Sequence, residues 1–176
     1  MQGSLFARIA LVGACFALPA KAPADLTAAS SRKAAPNFSL TDSKGAPVKL
    51  SDYRGRVILL DFWATWCGGC KVEIPWYMEF QRKYKSSGLS AIGVSLDEDG
   101  WKSVKPFLKR KPINYPIVVA DDGLAKLYGV EQMPLTLLID RDGKIADVHA
   151  GMVDKDSFEG EIQALLRDGT KSAATR

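Results

Sequence analysis

The sequence predicts an α/β fold, a central mixed sheet flanked by helices, and three observations carry that reading. Segments of strand character alternate with segments of helical periodicity along most of the chain, which is the signature of a parallel or mixed sheet covered on both faces. Val57-Ile58-Leu59-Leu60-Asp61-Phe62-Trp63 is a near-continuous apolar run, as in a strand buried on both sides. Leu135 to Asp140 and Ile145 to His149 bracket Arg141-Asp142-Gly143-Lys144, a hairpin with an Asp-Gly turn.

The remaining elements follow in order. Asn37 to Leu40 and Pro47 to Leu50 flank Asp42-Ser43-Lys44-Gly45 and read as a first hairpin. After the apolar strand, Gly68 to Ser87 has helical periodicity, with Val72, Trp76, Phe80 and Tyr84 on one stripe and Gly88 as a cap. Pro75 removes a backbone bond inside this helix and is expected to kink it. Leu89 to Leu96 is the next strand and Trp101 to Lys111 a basic amphipathic helix. Ile117 to Ala120 is a short strand, and Leu124 to Tyr128 a short helix ended by Gly129. Asp154 caps a final helix to Arg167, with Phe158, Ile162 and Leu165 on one face. Gly169 to Arg176 reads as a frayed tail.

At 176 residues the chain is long enough for one domain with a full core, here expected over residues 36–168. The N-terminus reads as an export signal over residues 1–22. Arg8 gives a positive flank, Ile9 to Leu18 a short apolar run, and Ala20-Lys21-Ala22 a small-x-small cleavage pattern. The run is well below the ~20 residues of a membrane span, which counts against an uncleaved anchor. Val12-Gly13-Ala14-Cys15 resembles a bacterial lipoprotein box. Soluble export is the first reading and lipidation at Cys15 the second, because only six residues separate Arg8 from Cys15. Residues 23–35, rich in Ala, Ser and Pro, read as a flexible linker. Cleavage leaves 22 basic and 20 acidic residues, too even a balance to argue for nucleic acid.

Cleavage also leaves only two cysteines, Cys67 and Cys70, in Trp66-Cys67-Gly68-Gly69-Cys70. One close pair cannot staple a fold of this size, so it is better explained as chemistry in an oxidising compartment. The pair lies between the end of a strand and the start of a helix. Unpaired helix N–H groups and the dipole there favour a thiolate on Cys67, the candidate nucleophile. Cys70, one turn on, is placed to attack a mixed disulfide on Cys67 and release the reduced substrate. An inert structural disulfide is the bland alternative. A zinc site needs about four ligands, and His149 is the only histidine.

Asp61 interrupts the apolar strand six residues before Cys67. Burial raises a carboxyl pKa, which suits Asp61 to take the proton of Cys70. Its alternative is a hydrogen-bonded structural acid near a strand end. Glu73, three residues after Cys70, stands on the same side of the helix and either tunes or deprotonates Cys70, leaving two acids as proton acceptors, or simply favours the helix start. Lys71 points to solvent and adds little. Trp63 reads as core, Trp66 as an apolar contact surface beside Cys67, and His149 as a structural or solvated histidine. Met133-Pro134-Leu135-Thr136 precedes a strand, where a proline fits the first position or an edge. Whether that proline is cis is left open by the residues alone.

Together these residues resemble the thioredoxin superfamily, and within it the exported TlpA/ResA-like thiol-disulfide oxidoreductases. The similarity runs from Ala35 to about Arg167. It includes Ala35-Pro36-Asn37-Phe38-Ser39-Leu40, Leu50-Ser51-Asp52-Tyr53-Arg54-Gly55-Arg56-Val57, Phe62 to Cys70, Glu73-Ile74-Pro75, Gly93-Val94-Ser95, Met133 to Thr136 and Ile139 to Ile145. It implies a thioredoxin fold with an N-terminal β-hairpin and a central insertion, here about Asp97 to Leu127. It implies that Pro134 is a cis-proline facing the disulfide and guiding substrate backbone, with Met133 and Trp66 as substrate contacts. It also implies that Asp61 and Glu73 fall at acidic positions of the active site. The redox group is then the Cys67–Cys70 pair itself, with no bound cofactor. The family usually has proline at one or both positions between the cysteines, whereas here both are glycine, and that dipeptide tunes the potential.

The resemblance further implies a reductase of envelope-protein disulfides, apocytochrome c among them, recharged by a membrane electron donor of the DsbD/CcdA type. Three alternatives are a disulfide oxidase, a peroxiredoxin-like peroxidase and a non-catalytic binding module. The opening Ala35 to Leu40 also resembles the peroxidase branch. That branch places Pro and Thr ahead of a lone cysteine, and here Thr65 stands two before Cys67 rather than three, with no upstream Pro.

Overall fold

The computed structural model describes residues 26–173, so the expected signal segment with Cys15 lies outside the described residues. A five-stranded sheet is built from β3 (Val57–Trp63), β4 (Leu89–Ser95), β5 (Ile117–Val119), β6 (Leu135–Ile139) and β7 (Ile145–Ala150), in the order β5-β4-β3-β6-β7. β3, β4 and β5 pair in parallel, while β6 is antiparallel to both β3 and β7. The sheet is therefore mixed, as expected. β1 (Ser39–Thr41) and β2 (Pro47–Lys49) form the separate N-terminal hairpin. Asp42 closes its turn by accepting the Lys44 and Ala46 N–H groups on one carboxylate oxygen.

β3 is central, and all seven of its residues are buried. Its odd-numbered apolar residues, Val57, Leu59 and Trp63, enter one core cluster, and Ile58, Leu60 and Phe62 enter the other. Helices α1 (Gly68–Tyr84), α2 (Trp101–Arg110) and α4 (Lys155–Ala173) cover the first face. The hairpin and the short α3 (Asp122–Leu127) cover the second. Asp97 to Leu127, read as an insertion, thus supplies two helices and the outer strand β5.

Four sequence expectations are corrected. The buried side of α1 consists of Cys70, Glu73, Ile74, Tyr77, Phe80 and Gln81, and Val72 is exposed. A strict four-residue interval drifts around a helix of 3.6 residues per turn, so the stripe from Val72 to Tyr84 cannot stay on one face. α1 ends at Tyr84, short of the expected Ser87, and contains Pro75 within its length. The linker is docked from Thr27 onward: the Thr27 N–H donates to the Ala146 carbonyl, the Ile145 N–H to Lys33 and the Ala35 N–H to Gly143. Arg32 adds an ion pair with Asp140 at 3.1 Å. β7 is an edge strand with free backbone groups, and residue composition is blind to such pairing. Finally, α4 continues past Gly169 to Ala173, because a helical glycine costs only about 1 kcal/mol. Asp154 caps it as expected, accepting the Ser157 N–H at 2.9 Å.

Candidate active site

β3 ends at Trp63 and the chain reaches the first turn of α1 through Ala64-Thr65-Trp66. The side chain of Asp97, which follows β4, holds this loop. It accepts the Thr65 N–H at 3.0 Å, the Thr65 hydroxyl at 2.5 Å and the Ser95 hydroxyl at 2.8 Å. Sequence reasoning missed Asp97, whose partners are set by the parallel pairing of β3 with β4.

Cys67 is the N-cap of α1, and its sulfur accepts the Cys70 N–H at 3.1 Å. The cap position places Sγ among the unsatisfied amides of the first turn, which stabilise negative charge on it. Cys67 and Cys70 are disulfide-bonded, with their Cα atoms 5.4 Å apart. Cys67 retains 5% exposure and Cys70 none, so Cys67 is the sulfur that a partner reaches first.

The two candidate acids are both buried, Asp61 on β3 and Glu73 on the inner side of α1. Asp61 pairs across the sheet with Gly93 and Thr136, in the interior of β3 rather than near its end. Neither of its oxygens has a hydrogen-bond partner among the described residues, so the alternative of a satisfied structural acid does not describe it. Burial, reinforced by repulsion from Glu73, pushes its pKa well above the ordinary carboxylate value. Its cross-strand partner Gly93 has no room for a side chain, since a Cβ would fall 2.5 Å from Ile117 Cδ1 and 3.1 Å from Trp63 Nε1. Glu73 is also pushed upward by burial, while the Val153 N–H, the Tyr77 hydroxyl and His149 act in the opposite direction. Its Oε1 accepts the Val153 N–H at 2.7 Å. Tyr77 bonds Thr136 at 2.9 Å, and burial with the charges of Asp61 and Glu73 raises both Tyr77 and Tyr115.

The rim comes from three segments. Met133–Pro134 is a cis peptide, and Pro134 is buried at the entrance to β6. Its carbonyl accepts the Gly151 N–H at 2.9 Å. That bond and the bond from Val153 to Glu73 hold the β7–α4 loop at both ends, setting Met152 over the site. Met152 was not foreseen. A Cβ on Gly69 would stand 3.1 Å from Met152 Cγ and 3.2 Å from Pro134 Cδ, whereas one on Gly68 would meet nothing within 4 Å. Trp66 is 65% and Met152 55% exposed, Met133 is half-buried, and Trp63 is fully buried core.

Lys71 is exposed, as expected. Pro75 has no N–H for the Lys71 carbonyl one turn back, and the Lys111 ammonium donates to that carbonyl at 3.2 Å instead. His149 is structural: its Nε2 lies 2.8 Å from Glu161 and 3.3 Å from Asp147, and its ring edge packs on Phe158. Among the described residues this trio is the one group of metal-ligating side chains that converges, and His149 and Glu161 are hydrogen-bonded to each other within it.

Comparison with known proteins agrees with this geometry. The AhpC/TSA family model matches residues 32–148. The thiol-disulfide oxidoreductase ResA of Bacillus thuringiensis subsp. konkukian is 38% identical over 134 residues, covering 76% of this chain and 77% of that protein. ResA of Bacillus subtilis is 34% identical over 139 residues, covering 78% and 76%. A Chlorobium tepidum structure assigned as the thiol:disulfide interchange protein DsbE superposes with a TM-score of 0.73 at 40% identity, over 77% of this chain and 96% of that one. An exposed lipoprotein thioredoxin of Streptococcus pneumoniae superposes with a TM-score of 0.67 at 28% identity, over 74% and 100%. With its mixed sheet, its cysteine pair capping α1 and these relatives, the chain belongs to the AhpC/TSA family of the thioredoxin superfamily, among the ResA-like thiol-disulfide oxidoreductases.

Proposed function

We propose that the chain is an exported disulfide reductase, which exchanges a Cys67/Cys70 dithiol for the disulfides of envelope proteins. The observation that carries this reading is the cysteine pair at the N-cap of α1, in a chain that also buries two acids with raised pKa values, Asp61 on β3 and Glu73 on α1. The reduced Cys67 thiolate attacks one sulfur of the substrate disulfide, and the second substrate sulfur leaves as a thiolate that takes a proton from water. Cys70 then attacks Cys67 Sγ, expels the first substrate sulfur and closes the protein disulfide. Its proton goes to Asp61. The two Asp61 oxygens are unpartnered, and a carboxyl raised well above its ordinary value takes a proton from a thiol at lower cost than an ordinary one. Glu73 acts by holding the loop that carries Met152. Pro134 lines the substrate strand, with Trp66 and Met133 as apolar contacts.

An oxidising compartment returns the pair to a disulfide, so turnover needs a membrane electron donor of the DsbD/CcdA type. Apocytochrome c is one candidate substrate. Export follows from residues 1–22, with lipidation at Cys15 as the second form. The test is the reduction potential of the chain from Ala24 onward, read by Trp fluorescence in redox buffers. A value near the thioredoxin level of about −270 mV supports the reductase, and one near about −120 mV makes it an oxidant. Cys70→Ser should trap substrate on Cys67, and full turnover in that variant would remove the two-cysteine mechanism.

A further inference from the structure

The basic helix noted in the sequence has no part in the exchange chemistry, yet the fold brings its positive end to the active-site helix. Residues 100–120 hold five Lys or Arg and no Asp or Glu. α2 buries Val104 and Phe107 and exposes Lys105, Lys109 and Arg110. Phe107 packs on Trp63, the last residue of β3, with ring centroids 5.1 Å apart. Lys111 fills the carbonyl of Lys71 that Pro75 leaves free, and Lys71 directly follows Cys70. The flanking acids are Asp97, Glu98 and Asp99 at the opposite end of α2, where Asp97 is committed to Thr65 and Ser95, and Asp121 and Asp122 at the start of α3, where Asp121 accepts the Leu124 N–H as a cap. Glu73, on the same turn as Cys70, is buried.

Among the described residues, none of Lys71, Lys105, Lys109, Arg110 and Lys111 forms an ion pair. The helix dipole accounts for cations in the last turn of α2, but not for Lys105 or Lys71, which lie outside that turn. Once the expected leader is removed the chain is nearly neutral, so this is a local field and not a general excess of base. A one-sign surface beside a reactive centre raises the encounter rate of oppositely charged partners and disfavours like-charged ones.

We infer that Lys71, Lys105, Lys109, Arg110 and Lys111 form a docking surface for protein substrates that carry acidic residues beside the disulfide to be reduced. A protein occupant is favoured over a lipid surface because the basic end of α2 is joined through Lys111 to Lys71, the residue after Cys70, so the field reaches the place where the substrate must arrive. The inference rests on the reading of Cys67–Cys70 as the exchange site.

The experiment measures the second-order rate constant at which three cystine peptides of one length, flanked by Glu, by Gln or by Lys, oxidise the reduced protein. Expected is a preference for the Glu peptide over the Lys peptide of about tenfold at low salt, falling toward unity near ~0.5 M salt. The triple variant Lys105→Glu, Lys109→Glu, Arg110→Glu should invert the order while still reducing the Gln peptide. Equal rates on the Glu and Lys peptides at low salt overturn the surface and leave the exchange reading intact. Absence of exchange with all three overturns the exchange reading and this inference with it. Retention on phosphatidylglycerol vesicles, without any peptide preference, assigns the face to anionic lipid and overturns the protein occupant.

Discussion

Replacing Asp61 with asparagine should stabilise the oxidised protein, by an amount that grows with pH. Both carboxylate oxygens are buried without hydrogen bonds, and burial with Glu73 raises the pKa well above the ordinary 3.8. In the unfolded chain Asp61 releases its proton near its ordinary pKa, about 3.9. The folded protein holds that proton to a higher pH. Across the interval the native state therefore binds one proton more than the unfolded state, and stability falls as pH rises, by up to about 1.4 kcal/mol per pH unit. The stabilising contribution is complete below about pH 4 and is lost as the pH climbs through the folded pKa. Asparagine has nearly the same shape and does not titrate. At about pH 4, variant and wild type should lie within about 1 kcal/mol, since each buries a neutral polar group there. From that point the gap should widen at the stated slope and level off above the folded pKa. Glu73 keeps its own raised pKa, so the variant retains a shallower slope of the same sign. Urea unfolding of the oxidised form, followed by Trp fluorescence from about pH 4 to 8, reads this with the cysteines locked out of the titration. The same variant should lose most of its turnover in insulin reduction. Parallel stability curves, or a gap that narrows with pH, would refute the placement of a bare buried carboxylate on β3.

Two further substitutions test the geometry around the cysteines. Gly68→Ala should stabilise by about 0.5 kcal/mol through a less flexible unfolded chain, since its Cβ enters open space. Gly69→Ala should instead destabilise by about 1 kcal/mol against Met152 and Pro134, and Met152→Ala should relieve most of that cost; denaturant unfolding of the set checks the order. Asp97→Ala should cost about 2–3 kcal/mol by leaving the Thr65 N–H and its hydroxyl without their acceptor, with a parallel loss of exchange rate read by 5,5′-dithiobis(2-nitrobenzoate).

The sequence carried the sheet well because its strands are regular. β3 reads directly from an apolar run that admits one acid, and the β6–β7 hairpin from its Asp-Gly turn. The cysteine pair is legible for a related reason, since strand, N-cap and helix are contiguous there. Features built from distant backbone were not legible. The docking of residues 27–35 uses main-chain groups of β7, which leave no trace in composition. Met152 reaches Gly69 only because two backbone amides, of Gly151 and Val153, are held by Pro134 and Glu73. The stripe on α1 was misplaced because intervals of four were read as one face. Glu73 was foreseen beside the cysteines, but its bond to Val153 depends on how the β7–α4 loop returns.

The shared space of Gly69 and Met152 has a consequence for protein engineering. Swapping the two residues between the cysteines is the obvious way to move such a protein along the redox scale. Here that dipeptide is not an independent module. A proline brought in at position 69 from a relative meets Met152 and Pro134 at close range, so its effect on the potential is read cleanly only when residue 152 is varied with it. The transferable unit is the first turn of α1 together with the loop that lies across it.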